Sequence, residues 1–141
     1  MGHVPPRYYV CADAVTVSWS PSKGLCVLLV RRANPPYQDR WALPGGFVEE
    51  NEDLPDACLR ELKEETGLEG KIRRLIGALS QESSRYGSVL VFGLLISVEG
   101  EPRPGSDALE VEFFRPSEAP EPPFRSHSEL LAMLSEPDLS T

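Results

Sequence analysis

The sequence predicts an α+β domain, a mixed β-sheet with helices packed on it. Three observations carry this. β-branched and aromatic runs stand on both sides of one strongly marked central helix. A second, short helix closes the chain. The 141 residues are 40 % hydrophobic and 26 % charged, with no repeat, which suits a single domain over 1–141.

Along the chain, YYVCADAVTVSW (8–19) reads as a strand, SPSKG (20–24) is turn chemistry, and LCVLLVRR (25–32) is a second strand, so that 8–32 forms a hairpin. Pro35 and Pro36 make 33–40 a loop, because neither residue can donate to a ladder. WALPGGFV (41–48) is a short strand broken at Pro44-Gly45-Gly46. The helix runs from about 53 to 66: Asp53 caps it, Pro55 sits in its first turn and Gly67 ends it. Strands follow at 71–83, 87–100 and 110–116, then an extended Pro-rich segment at 118–124 and the closing helix at 126–135.

The central helix departs from ordinary amphipathic patterning. Winding it at about 100° per residue sets Glu61 and Glu65 in the arc of Leu54, Ala57, Cys58 and Leu62, with Glu64 at its edge. Lys63, Asp56 and Arg60 take the solvated side. Acidic runs are usually just wet helix faces, and Glu favours helix. Here, however, three carboxylates at i, i+3 and i+4 share one face, and two of them are aligned with residues that must be buried. At about 6 Å and an effective dielectric of about 20, each close pair costs roughly 3 kcal/mol. The C-terminal half of a helix is also the wrong end of its dipole for anions. A cation among them offsets this, and an all-oxygen donor set favours Mg²⁺ or Mn²⁺ over zinc. The bare backbone at Gly45-Gly46 can come close to such an ion, and a carbonyl there would add one more oxygen.

The span from Gly46 to Leu68 holds eight of the acidic residues and two basic ones. In it Gly46, Glu52, Arg60, Glu61, Leu62, Glu64, Glu65, Gly67 and Leu68 occupy every defining position of the Nudix box, and the chain resembles the Nudix hydrolases in layout over about 8–135. The resemblance implies an α/β/α sandwich around a mixed sheet, cleaving a pyrophosphate bond in a nucleoside diphosphate linked to another group. It implies that Glu61, Glu64 and Glu65 bind Mg²⁺ together with the Gly45 carbonyl, and that Glu52 and Arg60 form a supporting ion pair. The general base stays open between Glu61 or Glu64 and Glu110, in front of VEFF. Asn51 stands where many members have glycine, and Asn tolerates the left-handed backbone a turn there requires.

RRANPPYQDRWALPGGFVE (31–49) is most similar to the ADP-ribose pyrophosphatases, which implies ADP-ribose as substrate, although Ser84 stands where that group carries proline. Tyr86 is similar to a residue of dinucleoside polyphosphate hydrolases, and oxidised nucleoside triphosphates are a further alternative. Arg31, Arg32, Arg40 and Arg85 are candidates to clamp phosphates; Tyr37 and Phe124 are candidates to stack on a base, and Tyr86 is a candidate substrate contact through its likeness above. A non-catalytic nucleotide sensor is the reading from a different class; sensors usually carry a damaged box or a fused DNA-binding domain, and this box is intact.

The net charge of −8 argues against a duplex nucleic-acid binder. The longest apolar run, 89–98, is too short to span a bilayer, and the N-terminus has no apolar signal core. Three cysteines without metal-ligand spacing read as buried thiols, so a cytoplasmic protein is expected. Relatives are often dimers, and 118–124 could serve an interface.

Overall fold

A computed structural model describes residues 2–134. Its elements are β1 (Tyr9–Ser20), β2 (Gly24–Arg32), β3 (Trp41–Ala42), β4 (Gly45–Phe47), α1 (Leu54–Thr66), β5 (Gly70–Ser83), β6 (Gly87–Val98), β7 (Ala108–Phe114), a 3-10 turn (Pro116–Glu118) and α2 (Arg125–Ala132). Of the closing helix expected at 126–135, Ser135 lies outside the described residues. The strand expected at 41–48 is two short strands with different partners, β3 on β2 and β4 on β1.

The sheet runs β3-β2-β1-β6-β5, with β4 added on β1 and β7 on β2. β1 and β6 are parallel and all other pairs antiparallel, so the sheet is mixed as expected. The hairpin expected over 8–32 is real only at its tip. Val17–Ser20 pairs with β2, whereas Cys11–Asp13 pairs with β4 on one edge and Tyr9–Val17 runs beside β6 on the other.

Alternation along these strands builds two cores. Ala12, Ala14, Leu28, Leu94, Ile96 and Val98 face α1, meeting Ala57, Cys58 and Leu62. Val15, Val17, Val27, Leu29, Val91 and Leu95 face the other way and pack under Leu130 of α2. One helix on each side of the sheet makes the sandwich. Cys26 and Cys58 are buried, Cys11 is half-buried, and all three are free thiols. No helix among the described residues is long and apolar enough to cross a membrane.

Candidate metal and substrate cleft

α1 starts where Asp53 accepts from the Asp56 N–H (2.9 Å) and stops at Gly67, whose φ is 74°. Its last carbonyls are taken up by the loop before β7: the Arg103 N–H donates to Thr66 O (2.8 Å) and the Gly105 N–H to Glu65 O (2.9 Å). α1 is thereby held with Glu61 and Glu65 half-buried and Glu64 exposed. These three line a cleft of about 340 Å³ together with Val30 and Arg32 of β2, Asn34 in the loop after it, Gly45–Phe47 of β4, and Ser106 and Asp107. A larger groove of about 1350 Å³ lies by Trp19, Lys71 and Glu99, and none of Glu61, Glu64 and Glu65 lines it.

The glycines at 45 and 46 have a structural cause. The Ala14 N–H donates to Pro44 O (2.8 Å) and the Val48 N–H to Val10 O (2.9 Å). With Asp13 opposite Gly45, this makes Gly45 a non-hydrogen-bonded ladder position whose N–H and carbonyl both point away from β1. The N–H donates to Glu65 Oε2 at 2.9 Å. The two glycines present opposite faces of the strand. A Cβ on Gly46 would strike the Glu61 carboxylate, 2.5 Å from Oε1, and a Cβ on Gly45 would strike that of Asp13.

Arg60 organises the charges. Its Nε and Nη2 donate to the two oxygens of Glu52 (2.7 and 3.0 Å), its Nη2 also to Phe47 O (3.1 Å), and its Nη1 to Glu61 Oε1 (2.9 Å). Nη1 lies 3.3 Å from Glu64 Oε2 as well. The helix angles had set Arg60 on the solvated side. Instead, the loop carrying Glu52 folds back over it, with Asn51 at the left-handed φ of 66° that the turn requires. The hydrogen bonds from Arg60 hold the Glu52 carboxyl below its usual range. Glu61 is pushed up by burial, against the pull of Arg60. Glu65 goes furthest, pushed up to about 9 by burial and by its neighbours Glu61 and Asp13, with the Gly45 N–H opposing. Among the described residues no three Asp, Glu, His or Cys side chains form a ready-made metal cage. Arg60 stands between Glu61 and Glu64, and Gly45 draws Glu65 to itself.

A family model described as the NUDIX domain matches residues 12–134. The chain belongs to the Nudix family. The ADP-ribose pyrophosphatase of Methanocaldococcus jannaschii is 41 % identical over 103 residues, covering 72 % of this chain and 61 % of that protein. Diphosphoinositol polyphosphate phosphohydrolase 3-alpha of Mus musculus is 41 % identical over 71 residues, 50 % of this chain and 42 % of that protein. The match thus spans less than two thirds of either relative. A NUDIX hydrolase structure from Nitrosomonas europaea superposes with a TM-score of 0.76 at 28 % identity, covering 91 % of this chain and 70 % of that one. The mixed sheet between two helices is the Nudix fold.

The other Nudix candidates are dispersed. Arg31 faces away from the cleft: its Nη1 pairs with Asp39 (3.0 Å) and its Nη2 with Glu110 (2.8 Å). Glu110 is therefore an exposed ion-pair partner outside the cleft lining. Tyr37, half exposed, meets Phe124 edge-on at 5.2 Å, and Arg40 is exposed in the same loop. Tyr86 packs against Tyr9 and Phe47, with Arg85 over its ring, in a cluster on the α2 side of the sheet.

Of the four arginines named as phosphate clamps, Arg32 is the one that lines the cleft. Its Nε donates to Pro36 O (2.8 Å), its guanidinium lies over Phe124, and burial lowers its pKa. Asp107, at φ 62°, accepts from Asn34 Nδ2 (2.8 Å). The one signal for it was its place in a turn-rich loop.

Proposed function

We propose that this chain is a divalent-metal-dependent hydrolase of the pyrophosphate bond in a nucleoside diphosphate linked to a second group, and that it cleaves ADP-ribose to AMP and ribose 5-phosphate. One observation carries the reading: Glu61, Glu64 and Glu65 converge on a single cleft beside the bare backbone of Gly45, with Arg32 in its lining and Arg60 paired to Glu61 and Glu64. The donor chemistry fits a hard cation, since every side-chain donor is a carboxylate and the Gly45 carbonyl leaves β1 on the side of Glu65. Glu61, Glu64, Glu65 and the Gly45 carbonyl would hold Mg²⁺ or Mn²⁺. When bound, such a cation neutralises phosphate charge and lowers the pKa of water.

The chain's own groups supply the rest. Arg60, held by Glu52, keeps the Glu61 carboxylate in place against the glycine turn. Arg32, with its Nε fixed by Pro36, offers its remaining N–H groups to a phosphate in the cleft. A carboxylate must take the proton of the attacking water. Glu61 and Glu64 remain candidates. Glu110 lies within β7 rather than in a loop before it and is tied to Arg31, so Asp107, which lines the cleft, takes its place as the candidate. The likeness to the archaeal ADP-ribose pyrophosphatase supports the substrate. A diphosphoinositol phosphate is the second reading, favoured by the mouse relative over half of the chain. The three free thiols support a reducing, cytoplasmic setting.

The test is a substrate panel with Mg²⁺: ADP-ribose, NADH, dinucleoside polyphosphates, normal and oxidised nucleoside triphosphates and a diphosphoinositol phosphate. The expected result is AMP and ribose 5-phosphate, with ADP-ribose the best substrate by kcat/KM. Faster turnover of another compound overturns the substrate, and binding without turnover favours the sensor. Glu64→Gln removes a charge at constant size, and it is expected to cut kcat by about a hundredfold or more at unchanged Tm.

A further inference from the structure

Asp13 is a lone acid in an apolar strand, and His127 enters from a helix on the far side of the sheet from the glutamates. Both are buried, at 5 % and 7 % exposure. They meet through His127 Nε2 and Asp13 Oδ2, 3.1 Å apart. The other ring nitrogen, Nδ1, accepts the Leu43 N–H at 3.1 Å. Accepting that bond requires a lone pair on Nδ1, so the ring proton sits on Nε2 and points at Asp13. The ring itself is anchored. It packs on Phe124 at 4.8 Å, and the first turn of α2 is tied to β5 by Arg125 Nη2 to Ser80 O and by the Ser126 N–H to Gln81 Oε1, 3.1 Å each.

Leu43 is buried at the start of the turn that ends in Gly45-Gly46, and the Asp13 carboxylate fills the space where Gly45 would carry a side chain. An unbroken line of contacts therefore crosses the sheet: α2, His127, the Leu43 N–H and Asp13, Gly45, then the Gly45 N–H on Glu65 at 2.9 Å.

We propose that Asp13 and His127 are positioning residues that set the Pro44-Gly45-Gly46 turn and, through it, the Glu65 carboxylate. The consequence for cation affinity rests on the reading of the cleft as the metal site. His127 holds the turn through the Leu43 N–H, and Asp13 through its contact with His127 and the space it fills beside Gly45; an outer partner of this kind governs how well an inner ligand is aimed.

The experiment compares His127→Leu with Leu130→Val, a core substitution on the same helix, in the full chain. Two readouts are taken: the ¹⁵N–¹H resonances of Gly45 and Gly46 in EDTA, and Mn²⁺ affinity by calorimetry. His127→Leu is expected to shift both glycine amides and to weaken Mn²⁺ binding by about tenfold or more. Leu130→Val is expected to lower Tm while leaving both readouts alone. His127→Asn keeps an acceptor where Nδ1 was and is expected to recover most of the affinity. Should His127→Leu fail to fold, the isosteric Asp13→Asn is expected to move the same two amides. Glycine amides that stay put in these variants, or that move as much in Leu130→Val, overturn the proposal. Absence of Mn²⁺ binding by the unmodified protein would instead remove the metal reading, and the amide shifts would still decide the positioning claim.

Discussion

Glu52 and Arg60 share two hydrogen bonds, and the same guanidinium reaches Glu61 and the Phe47 carbonyl. One side chain thus joins the loop after β4 to the face of α1 that carries the cleft carboxylates. The glycine turn beside it has no room. Gly46→Ala is expected to lower stability by about 1–3 kcal/mol, because the Cβ forces the Glu61 carboxylate aside; denaturant unfolding measures the loss, and weaker Mn²⁺ binding should accompany it. Asp107, in the loop before β7, and Glu110, within β7, separate as cleanly. Asp107→Asn is expected to slow turnover by about a hundredfold if it serves as the base. Glu110→Gln removes an exposed ion pair with Arg31, and is expected to cost about 1 kcal/mol or less and to leave kcat unchanged. Steady-state kinetics of the pair with ADP-ribose checks both, and equal losses in the two variants would reverse the assignment. At this scale the box residues were legible because their spacing is local. Asp107 was not legible, and Arg32 could not be told from three other candidate arginines, because their neighbours in the cleft come from distant parts of the chain.

Among the elements, α1 was the most legible, since its cap, its proline and its terminating glycine all act within a turn of themselves. Asp53→Ala removes the acceptor of the Asp56 N–H and is expected to cost about 1 kcal/mol with kcat intact at a temperature where the protein is folded. The other end of α1 depends on a neighbour the local pattern does not show. Gly105 lies so close that a Cβ would overlap the Glu64 carbonyl oxygen. Gly105→Ala is therefore expected to lift the loop from the helix end, lowering Tm and, because Ser106 and Asp107 follow directly, lowering kcat too. A Tm loss with normal kcat would mean that the loop's place in the cleft does not matter to the reaction. β1 was read correctly as a strand, but its division among β2, β4 and β6 was not legible, because period-two alternation names the faces of a strand and leaves its edges unassigned.

For the molecule as a whole, two carboxylates shifted in opposite directions bear on the dependence on pH. The pKa of Glu65 is raised from 4.5 to about 9 on folding. The stability this lends is complete below 4.5 and is lost as pH rises toward 9, because the folded state binds the proton more tightly. Glu52 works in the opposite sense: held down by Arg60, it contributes stability above its ordinary value that is lost as pH falls. In EDTA the Tm is therefore expected to peak at about pH 5–6 and to fall toward pH 9. Added Mg²⁺ is expected to raise Tm more at the alkaline end, because ligation requires the deprotonated carboxylate. Thermal scans with and without Mg²⁺ measure this, and a Tm in EDTA that climbs from pH 6 to pH 9 would contradict the burial of Glu65.

The sequence by itself determined the class of fold, the capped central helix and the line of carboxylates along it. Each of these is written in periods of two or 3.6 residues and in caps that act on adjacent backbone. Tertiary structure alone decided which arginine meets the cleft. Arg31 and Arg32 are neighbours on β2 and so point to opposite faces, and the β2–β7 register shifts between them. It also decided that a histidine from the last helix and an aspartate from the first strand would meet beneath a glycine. Such meetings depend on register and on which face a helix covers, and those are settled only when the whole core packs at once.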